Sequence, residues 1–216
     1  MAAPSDDLSG CFVREFELKN STVLRVNQFE VGDVGCVVWD AALVFASYLQ
    51  TEDFSKSYGT LSGKSVVELG SGTGIVGLTA AVLGANVLLT DLEDFVPLLE
   101  LNIKTNETHS QGTSKAQTLK WGEDVSIACP DFLFISDCIY YDESTEPLVT
   151  SITDLSDKHT HVIMSYEKRT SENKLALERK FFKLIEEDFK VETIALERHD
   201  DVFRSEDILL IHMTKR

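Results

Sequence analysis

The stretch that decides the fold is Ser65-Val66-Val67-Glu68-Leu69-Gly70-Ser71-Gly72-Thr73-Gly74. Its first half, residues 65–69, is a short apolar run that predicts a buried strand, whereas residues 75–83 have the pattern of a helix. The alternate glycines between them permit positive φ angles and let the backbone pass close under a ligand. The stretch therefore predicts a strand, a ligand-binding turn and a helix.

An acidic residue follows the next predicted strand, residues 86–90. Asp91 stands at the end of that strand, 21 residues after Gly70. A carboxylate at this place can accept hydrogen bonds from both hydroxyls of a ribose. The two motifs together indicate a ligand that contains a nucleoside, and a tight turn without a ligand is the alternative.

The register of the glycines separates two kinds of nucleoside site. Residues 72–77 fit the GxGxxG spelling of a dinucleotide site. However, the predicted strand ends at Leu69, so the turn starts at Gly70 and the third fingerprint position falls on Ile75. An acid two residues before the first glycine is similar instead to the loop of S-adenosylmethionine enzymes, in which Glu68 would accept a hydrogen bond from the ammonium group of the ligand.

Strands and helices alternate along the rest of the chain until a final pair of strands. Residues 189–196 and 208–213 are predicted strands, and the residues between them are too few for a comfortable helical crossover, which predicts an antiparallel pair. The other predicted strands are residues 116–119, 132–136 and 161–165, the predicted helices are 39–49, 94–106, 146–155 and 173–188, and residues 51–63 form a polar connection.

This alternation predicts an α/β fold with a Rossmann-like sheet of seven strands. The sheet is mostly parallel with a C-terminal antiparallel hairpin, and helices cover both faces. Residues 12–18 and 22–28 add a short N-terminal β-hairpin. We expect a disordered tail at residues 1–9 and a single domain at 10–216, with the hairpin and first helix in 10–63 and the core in 64–216. A sheet of this kind binds its ligand at the carboxyl ends of the strands.

The chain is strongly acidic, with 36 Asp and Glu against 20 Lys and Arg and a net charge of −16. This charge disfavours nucleic acids and anionic membranes as partners, and it fits a lysine-bearing partner or serves solubility. The cysteines form no CxxC pair and no apolar leader is visible, so we expect free thiols and a cytoplasmic or nuclear location. His199, Asp200 and Asp201 are adjacent in sequence and do not predict a metal site.

Several blocks of sequence occur in an order that is typical of one family. They are residues 35–42 (GCVVWDAA), 67–74 (VELGSGTG), 90–93 (TDLE), 120–123 (KWGE), 137–141 (DCIYY), 166–169 (YEKR) and 204–208 (RSEDI). Over nearly the whole chain they resemble the seven-β-strand protein-lysine methyltransferases, most closely the branch that acts on valosin-containing protein, a hexameric AAA ATPase. The resemblance implies an S-adenosylmethionine-dependent protein-lysine N-methyltransferase with that ATPase as its protein substrate.

The same resemblance implies a cofactor site and an acceptor site. The implied cofactor-binding residues are Trp39, Glu68, Gly70, Ser71, Gly72, Asp91, Trp121 and Ser136. Among these, Trp121 would pack against the adenine and Ser136 would touch the cofactor through its backbone. Asp137 and Tyr140 match the Asp-x-x-Tyr motif of the family, which implies that they are catalytic residues beside the acceptor amine.

Methyl transfer to lysine needs a neutral amine in line with the departing sulfur, and it needs no metal. A free lysine has a pKa of about 10.4, so its neutral form costs about 4.6 kcal/mol near pH 7. Burial against Tyr140 and Tyr141 would lower that pKa. Because a bare carboxylate favours the charged ammonium, we expect Asp137 mainly to orient the amine.

Two other functions stay open at this point. A nucleic-acid amino-methyltransferase commonly carries an (Asp/Asn)-Pro-Pro-aromatic loop, whereas residues 137–140 contain no proline; a small-molecule acceptor is a variant of this alternative. The second is a cofactor-binding interaction module without turnover. We expect residues 197–207, the longest loop near the C-terminal hairpin, to help dock a protein substrate, and Glu167 and Arg169 to form a structural pair or a rim contact.

Overall fold

In the computed structural model, which describes residues 10–30, 34–124 and 126–216, a seven-stranded sheet forms the centre of the fold. Two strands, β1 Cys11–Glu17 and β2 Val23–Phe29, form a separate hairpin. The seven strands of the central sheet are β3 Ser65–Leu69, β4 Asn86–Asp91, β5 Thr113–Thr118, β6 Phe132–Ser136, β7 His161–Glu167, β8 Phe189–Ile194 and β9 Ile208–Lys215. The central sheet has the order β5-β4-β3-β6-β7-β9-β8. The order reverses between β3 and β6, and the carboxyl ends of strands at such a switch point border a crevice.

The strand directions confirm the predicted sheet. The neighbouring pairs from β5 to β7 are parallel, whereas β9 is antiparallel to both β7 and β8. The last strand therefore enters between its two neighbours and leaves β8 at the edge. This arrangement is the predicted C-terminal antiparallel hairpin.

Helices cover both faces of the sheet, as predicted. They are α1 Asp40–Tyr48, α2 Glu52–Tyr58, α3 Ile75–Val82, α4 Val96–Asn106, α5 Asp142–Asp154 and α6 Glu172–Ile185. Neighbouring residues of a strand point to opposite faces. Val66 of β3 belongs to the core cluster that contains α1 and α3, and the next residue, Val67, belongs to the cluster that contains α5 and α6.

The N-terminal hairpin β1–β2 is fastened to α4 by two buried asparagines. Asn102 accepts the backbone N–H of Asn27 at 2.7 Å, and Asn106 accepts that of Arg25 at 2.9 Å. Their side-chain amides donate back to the carbonyls of the same two residues. The two amide side chains thus form hydrogen bonds with the backbone of β2 as a neighbouring strand would, and they hold the hairpin beside the sheet.

The structure corrects some predicted elements. Residues 51–63, predicted as a polar connection, contain α2, which starts where the Thr51 hydroxyl accepts the N–H of Phe54 at 3.1 Å and buries the Phe54 ring. β5 starts at Thr113 instead of 116, and α5 starts at Asp142, one turn before the predicted 146. The predicted tail, residues 1–9, lies outside the described residues. Within the described ranges, no helix has the length and apolarity needed to cross a membrane.

Candidate functional site

A single cavity of about 360 Å³ opens at the carboxyl ends of the central strands and contains every predicted site residue. The residues after β3, β4, β6 and β7 all reach it, because parallel strands end at the same edge of the sheet. The predicted residues in its wall are Trp39, Glu68, Gly70, Ser71, Gly72, Asp91, Trp121, Ser136, Asp137 and Tyr140. Residues that are far apart in sequence therefore meet in one chamber.

The glycine turn forms the floor of the cavity and leaves no space for side chains. Gly70 has a φ of 64°, and a Cβ there would lie 2.8 Å from Cys138 Sγ and 2.8 Å from Trp121 Cζ2. Gly72 has a φ of 54°, and its Cβ would lie 3.0 Å from the carbonyl oxygen of Gly35. Both the backbone angles and the close neighbours demand glycine, as the sequence pattern predicts.

Asp91 is held in place by the glycine turn. The N–H of Gly72 donates to Oδ2 at 2.7 Å, and the N–H of Leu92 donates to Oδ1 at 2.7 Å. These bonds set the orientation of the carboxylate at the end of β4. The structure thus places Asp91 in the cavity wall directly beside the turn, at the position expected of a ribose-binding acid.

Glu68 lies beneath the turn and is almost completely buried. Its Oε2 accepts the N–H of Gly77 at 2.9 Å, and its backbone carbonyl accepts the hydroxyls of Thr90 at 2.6 Å and Ser71 at 3.2 Å. Burial raises the pKa of Glu68 to about 8, and the negative charge of Asp91 adds to this effect. From the sequence, we expect Glu68 to contact the ligand, and the structure shows its carboxylate tying the turn to α3.

Aromatic side chains form the upper walls. Trp39 is 41% exposed, and its Nε1–H donates to the carbonyl of Val34 at 2.8 Å. Trp121 packs edge-on against Tyr140, with ring centroids 6.5 Å apart. The buried ring of Phe95 completes this lining. These surfaces suit a flat, apolar group such as a nucleobase.

Asp137 follows β6 in an unusual backbone conformation. It has a φ of 52°, and its N–H donates to the carbonyl of Ser165 at 2.8 Å. Its Oδ1 accepts the N–H of Glu167 at 3.2 Å, and its Oδ2 accepts Arg169 Nη2 at 2.6 Å. Burial raises the pKa of Asp137, while the Glu167 N–H and the Arg169 charge oppose that rise. A left-handed aspartate held by three bonds is typical of a functional position.

Two tyrosines stand beside Asp137 at the mouth. The rings of Tyr140 and Tyr141 meet edge-on with centroids 4.7 Å apart, and Tyr141 is 46% exposed. Ser136, the last residue of β6, forms a hydrogen bond through its hydroxyl with Ser165 Oγ at 3.0 Å. The side chain of Ser136 is thus engaged by the sheet, in keeping with a backbone contact to a ligand.

The residues present fit S-adenosylmethionine. The turn at Gly70 and Gly72 exposes backbone without Cβ atoms, Asp91 presents a carboxylate suited to ribose hydroxyls, and Trp121 presents an aromatic face suited to adenine. Among the residues that the structure describes, no three His, Cys, Asp or Glu side chains are grouped so as to hold a metal ion.

Sequence reasoning left out several residues of this cavity. Arg169, weighed only as a structural pair or rim contact, forms an ion pair with the predicted catalytic Asp137. Cys138 lies buried against the glycine turn, where burial raises the pKa of its thiol, so the sulfur packs as a neutral group. Phe95 and Leu119 line the wall but look like ordinary core residues in sequence. For Arg169, the sequence offers one signal: an arginine that closely follows β7, the strand next to β6, at whose end Asp137 lies.

Comparison with known proteins agrees with this geometry. The family profile described as lysine methyltransferase matches residues 18–188. The chain is 36% identical to the protein N-lysine methyltransferase METTL21A of Danio rerio, with 70% of this chain and 69% of that protein covered. It is 31% identical to the EEF1A lysine methyltransferase 3 of Xenopus tropicalis, with coverages of 68% and 65%.

Solved structures show the same fold. A 16S rRNA N2 G1207 methyltransferase of T. thermophilus, in complex with AdoMet and guanosine, superposes with a TM-score of 0.67 at 17% identity and covers 95% of this chain and 51% of its own. The glycopeptide N-methyltransferase MtfA, complexed with S-adenosyl-L-methionine, has a TM-score of 0.58 at 10% identity, with coverages of 79% and 94%. At these identities the likeness concerns the fold.

Proposed function

The chain belongs to the lysine methyltransferase family, and we propose that it methylates a lysine of valosin-containing protein, a hexameric AAA ATPase. It is an S-adenosylmethionine-dependent protein-lysine N-methyltransferase. The observation that carries this function is the meeting of the glycine turn, Asp91 and the Asp137–Tyr140 motif in one cavity. The choice of ATPase is supported by the order and spacing of the sequence blocks.

The cofactor half of the cavity is built by the turn and its neighbours. The backbone at Gly70, Ser71 and Gly72 would line the methionine and ribose, Asp91 would accept hydrogen bonds from the ribose hydroxyls, and Trp121 would pack on the adenine. When bound, S-adenosylmethionine would supply an electrophilic methyl group on a sulfonium sulfur, with the neutral thioether as leaving group. Residues that hold this geometry can account for roughly 7–11 kcal/mol of the barrier.

The acceptor half must place a lysine amine opposite the sulfur. The carboxylate of Asp137 accepts hydrogen bonds from the Glu167 N–H and from Arg169, and the Asp137 N–H donates to the carbonyl of Ser165, so the carboxylate has one fixed orientation. A fixed acceptor orients the amine better than a mobile one does, and this supports orientation as the role of Asp137. The faces of Tyr140 and Tyr141 bury the methylene stem and lower the pKa of the amine.

The loop of residues 197–207 is proposed to contact the protein substrate. It joins β8 to β9, and its last residue lies at the edge of the sheet where the cavity lies, because Lys168 donates its N–H to the carbonyl of Asp207 at 2.7 Å. The buried carboxylate of Asp200 accepts the N–H groups of Val202 and Phe203 and pairs with Lys19 at 2.8 Å. Val202 is 81% exposed, and Phe203 is 38% exposed with its ring edge-on to the buried ring of Phe16, the centroids 5.6 Å apart.

A double variant tests this docking role. Val202→Ser with Phe203→Ser should raise KM for the folded protein substrate severalfold, because two exposed apolar contacts are lost. Turnover of a short lysine peptide, which does not span the loop and the cavity together, should stay at the wild-type level. Equal KM values of variant and wild type for the folded substrate would show that the loop is not part of the docking surface.

The function is tested by transfer of label. Purified protein is incubated with methyl-labelled S-adenosylmethionine and cell lysate, and labelled bands are hydrolysed to identify the methylated amino acid. Label recovered as methyl-lysine supports the proposal. Intact cofactor binding without any labelled protein would favour the second candidate, an interaction module without turnover. Purified valosin-containing protein and purified EEF1A, tested side by side, then separate the proposed partner from the one named for a relative.

A further inference from the structure

Arg169 brings a positive charge into the acceptor half of the cavity. Its guanidinium lies 2.6 Å from Asp137 Oδ2, 3.3 Å from Glu167 Oε2 and 5.9 Å above the ring of Trp39. Its side chain is 30% exposed, and it lines the cavity. Contacts to three separate parts of the chain therefore fix this cation beside Asp137.

Without Arg169, two carboxylates would stand unpaired at that place. Asp137 is 10% exposed and Glu167 is 44% exposed, and one guanidinium nitrogen contacts both. Two bare carboxylates would bind a lysine as the charged ammonium, which has no lone pair and cannot attack a methyl group. An opposite charge within about 4–6 Å shifts a pKa by about 1–3 units in favour of the charged form.

We propose that Arg169 is a positioning residue that holds Asp137 toward the acceptor amine and, by offsetting the charge of Asp137 and Glu167, prevents these carboxylates from trapping the lysine as ammonium. The inference rests on the proposed lysine methylation. The ammonium proton then leaves to water before transfer, and no side chain is needed as a dedicated base. The neutral nitrogen forms its bond to the methyl group as the bond from that methyl group to sulfur breaks.

The other titratable groups of the cavity do not supply this cation. They are Glu68, Asp91, Lys120, Cys138, Tyr140, Tyr141 and Glu143. Glu68 is largely protonated near neutral pH and Cys138 is a neutral thiol. Asp91 accepts a hydrogen bond from the glycine turn, and Lys120 pairs with Glu123 at 2.9 Å. Among the described residues, the one cationic side chain bonded to Asp137 is that of Arg169.

The pH profile of kcat/KM distinguishes this role from a structural one. Arg169→Gln should shift the ascending limb of the profile to higher pH by about one unit. At neutral pH this shift lowers kcat/KM by about tenfold, and the loss is recovered at high pH. Arg169→Lys, which keeps the charge, should keep the limb near its wild-type position. Glu167→Gln, which removes one carboxylate and keeps the Arg169–Asp137 pair, should move the limb in the opposite direction.

A binding measurement gives a readout without turnover. Calorimetry in two buffers of different ionisation enthalpy counts the protons released when the substrate protein binds near pH 8. Wild type should release more protons than Arg169→Gln. Equal proton release, together with a rate loss of the same size at every pH, would overturn the inference. If wild type itself methylates no lysine, the proposed function fails and the inference fails with it; an active wild type with an unshifted Arg169→Gln profile refutes the inference alone.

Discussion

Replacing Gly70 by alanine tests the claim that the glycine turn is shaped by contact with the cavity walls. The positive φ of 64° at this position costs a non-glycine residue about 1–2 kcal/mol. The new Cβ would also lie 2.8 Å from both Cys138 Sγ and Trp121 Cζ2, whereas nonbonded carbon atoms prefer about 3.5–4.0 Å. Overpacking of this kind costs about 1–3 kcal/mol. The total expected loss of unfolding free energy is about 2–5 kcal/mol.

Gly63 provides the matched control for this substitution. Its φ is 74°, and a Cβ there would meet no atom within 4 Å. Gly63→Ala should therefore lose only the backbone part, about 1–2 kcal/mol. Denaturant unfolding gives the stabilities, and calorimetric titration with S-adenosylhomocysteine gives the affinities. We expect Gly70→Ala to lose at least tenfold in affinity, because Trp121 must move, and Gly63→Ala to bind as wild type does. Equal stability and equal affinity of the two variants would refute the reasoning.

Three further substitutions test the buried acid Glu68, His212, a half-buried histidine of β9 that contacts His161 of β7, and Asp91 at the end of β4. Burial raises the pKa of Glu68 to about 8 from 4.5, so the folded state holds an extra proton between these values and stability falls as the pH rises through them. In denaturant titrations from about pH 5 to pH 8, the unfolding free energy of Glu68→Gln should therefore rise relative to that of wild type by a few kcal/mol, to order of magnitude. Burial lowers the pKa of His212 to about 4 from 6.5, so wild type loses stability as the pH falls through this window, and His212→Gln should remove on the order of 3 kcal/mol of that loss; an unchanged slope would contradict the assignment. Asp91→Asn should weaken cofactor binding by about 1.5–3 kcal/mol in calorimetry, whereas the exposed Asp94→Asn control should bind normally.

The mostly parallel sheet, its antiparallel C-terminal pair and the meeting of the glycine turn with Asp91 followed from local patterns in the sequence, whereas the strand order did not. A short apolar strand that ends in alternate glycines marks the turn at Gly70, and Asp91 follows the next strand in the same way. Parallel strands end at one edge of the sheet, so the residues just after them lie close together however far apart they are in sequence. This reasoning also brings Asp137 to the cavity before any coordinates are known.

Other features depend on contacts that the sequence does not display. Helix α2 looked like a connection because its one fully buried side chain is Phe54, and only the Thr51 cap marked its start. β5 is an edge strand with mostly exposed residues, so its apolar pattern begins after the strand does. The Asp137–Arg169 pair depends on the left-handed backbone of Asp137, which turns the carboxylate toward the end of β7. No spacing rule for side chains predicts such a backbone angle.

The most direct test of lysine methylation is transfer of labelled methyl groups to purified valosin-containing protein by wild type and by Asp137→Ala. Binding of S-adenosylhomocysteine is measured on both proteins, so that loss of transfer is separated from loss of the cofactor. The account predicts label on a lysine of the ATPase with wild type, and little or no label with Asp137→Ala although its cofactor affinity stays near that of wild type. Wild type that binds cofactor but leaves every lysine of the ATPase unlabelled would contradict the proposed substrate, and equal labelling by Asp137→Ala would contradict the proposed catalytic site.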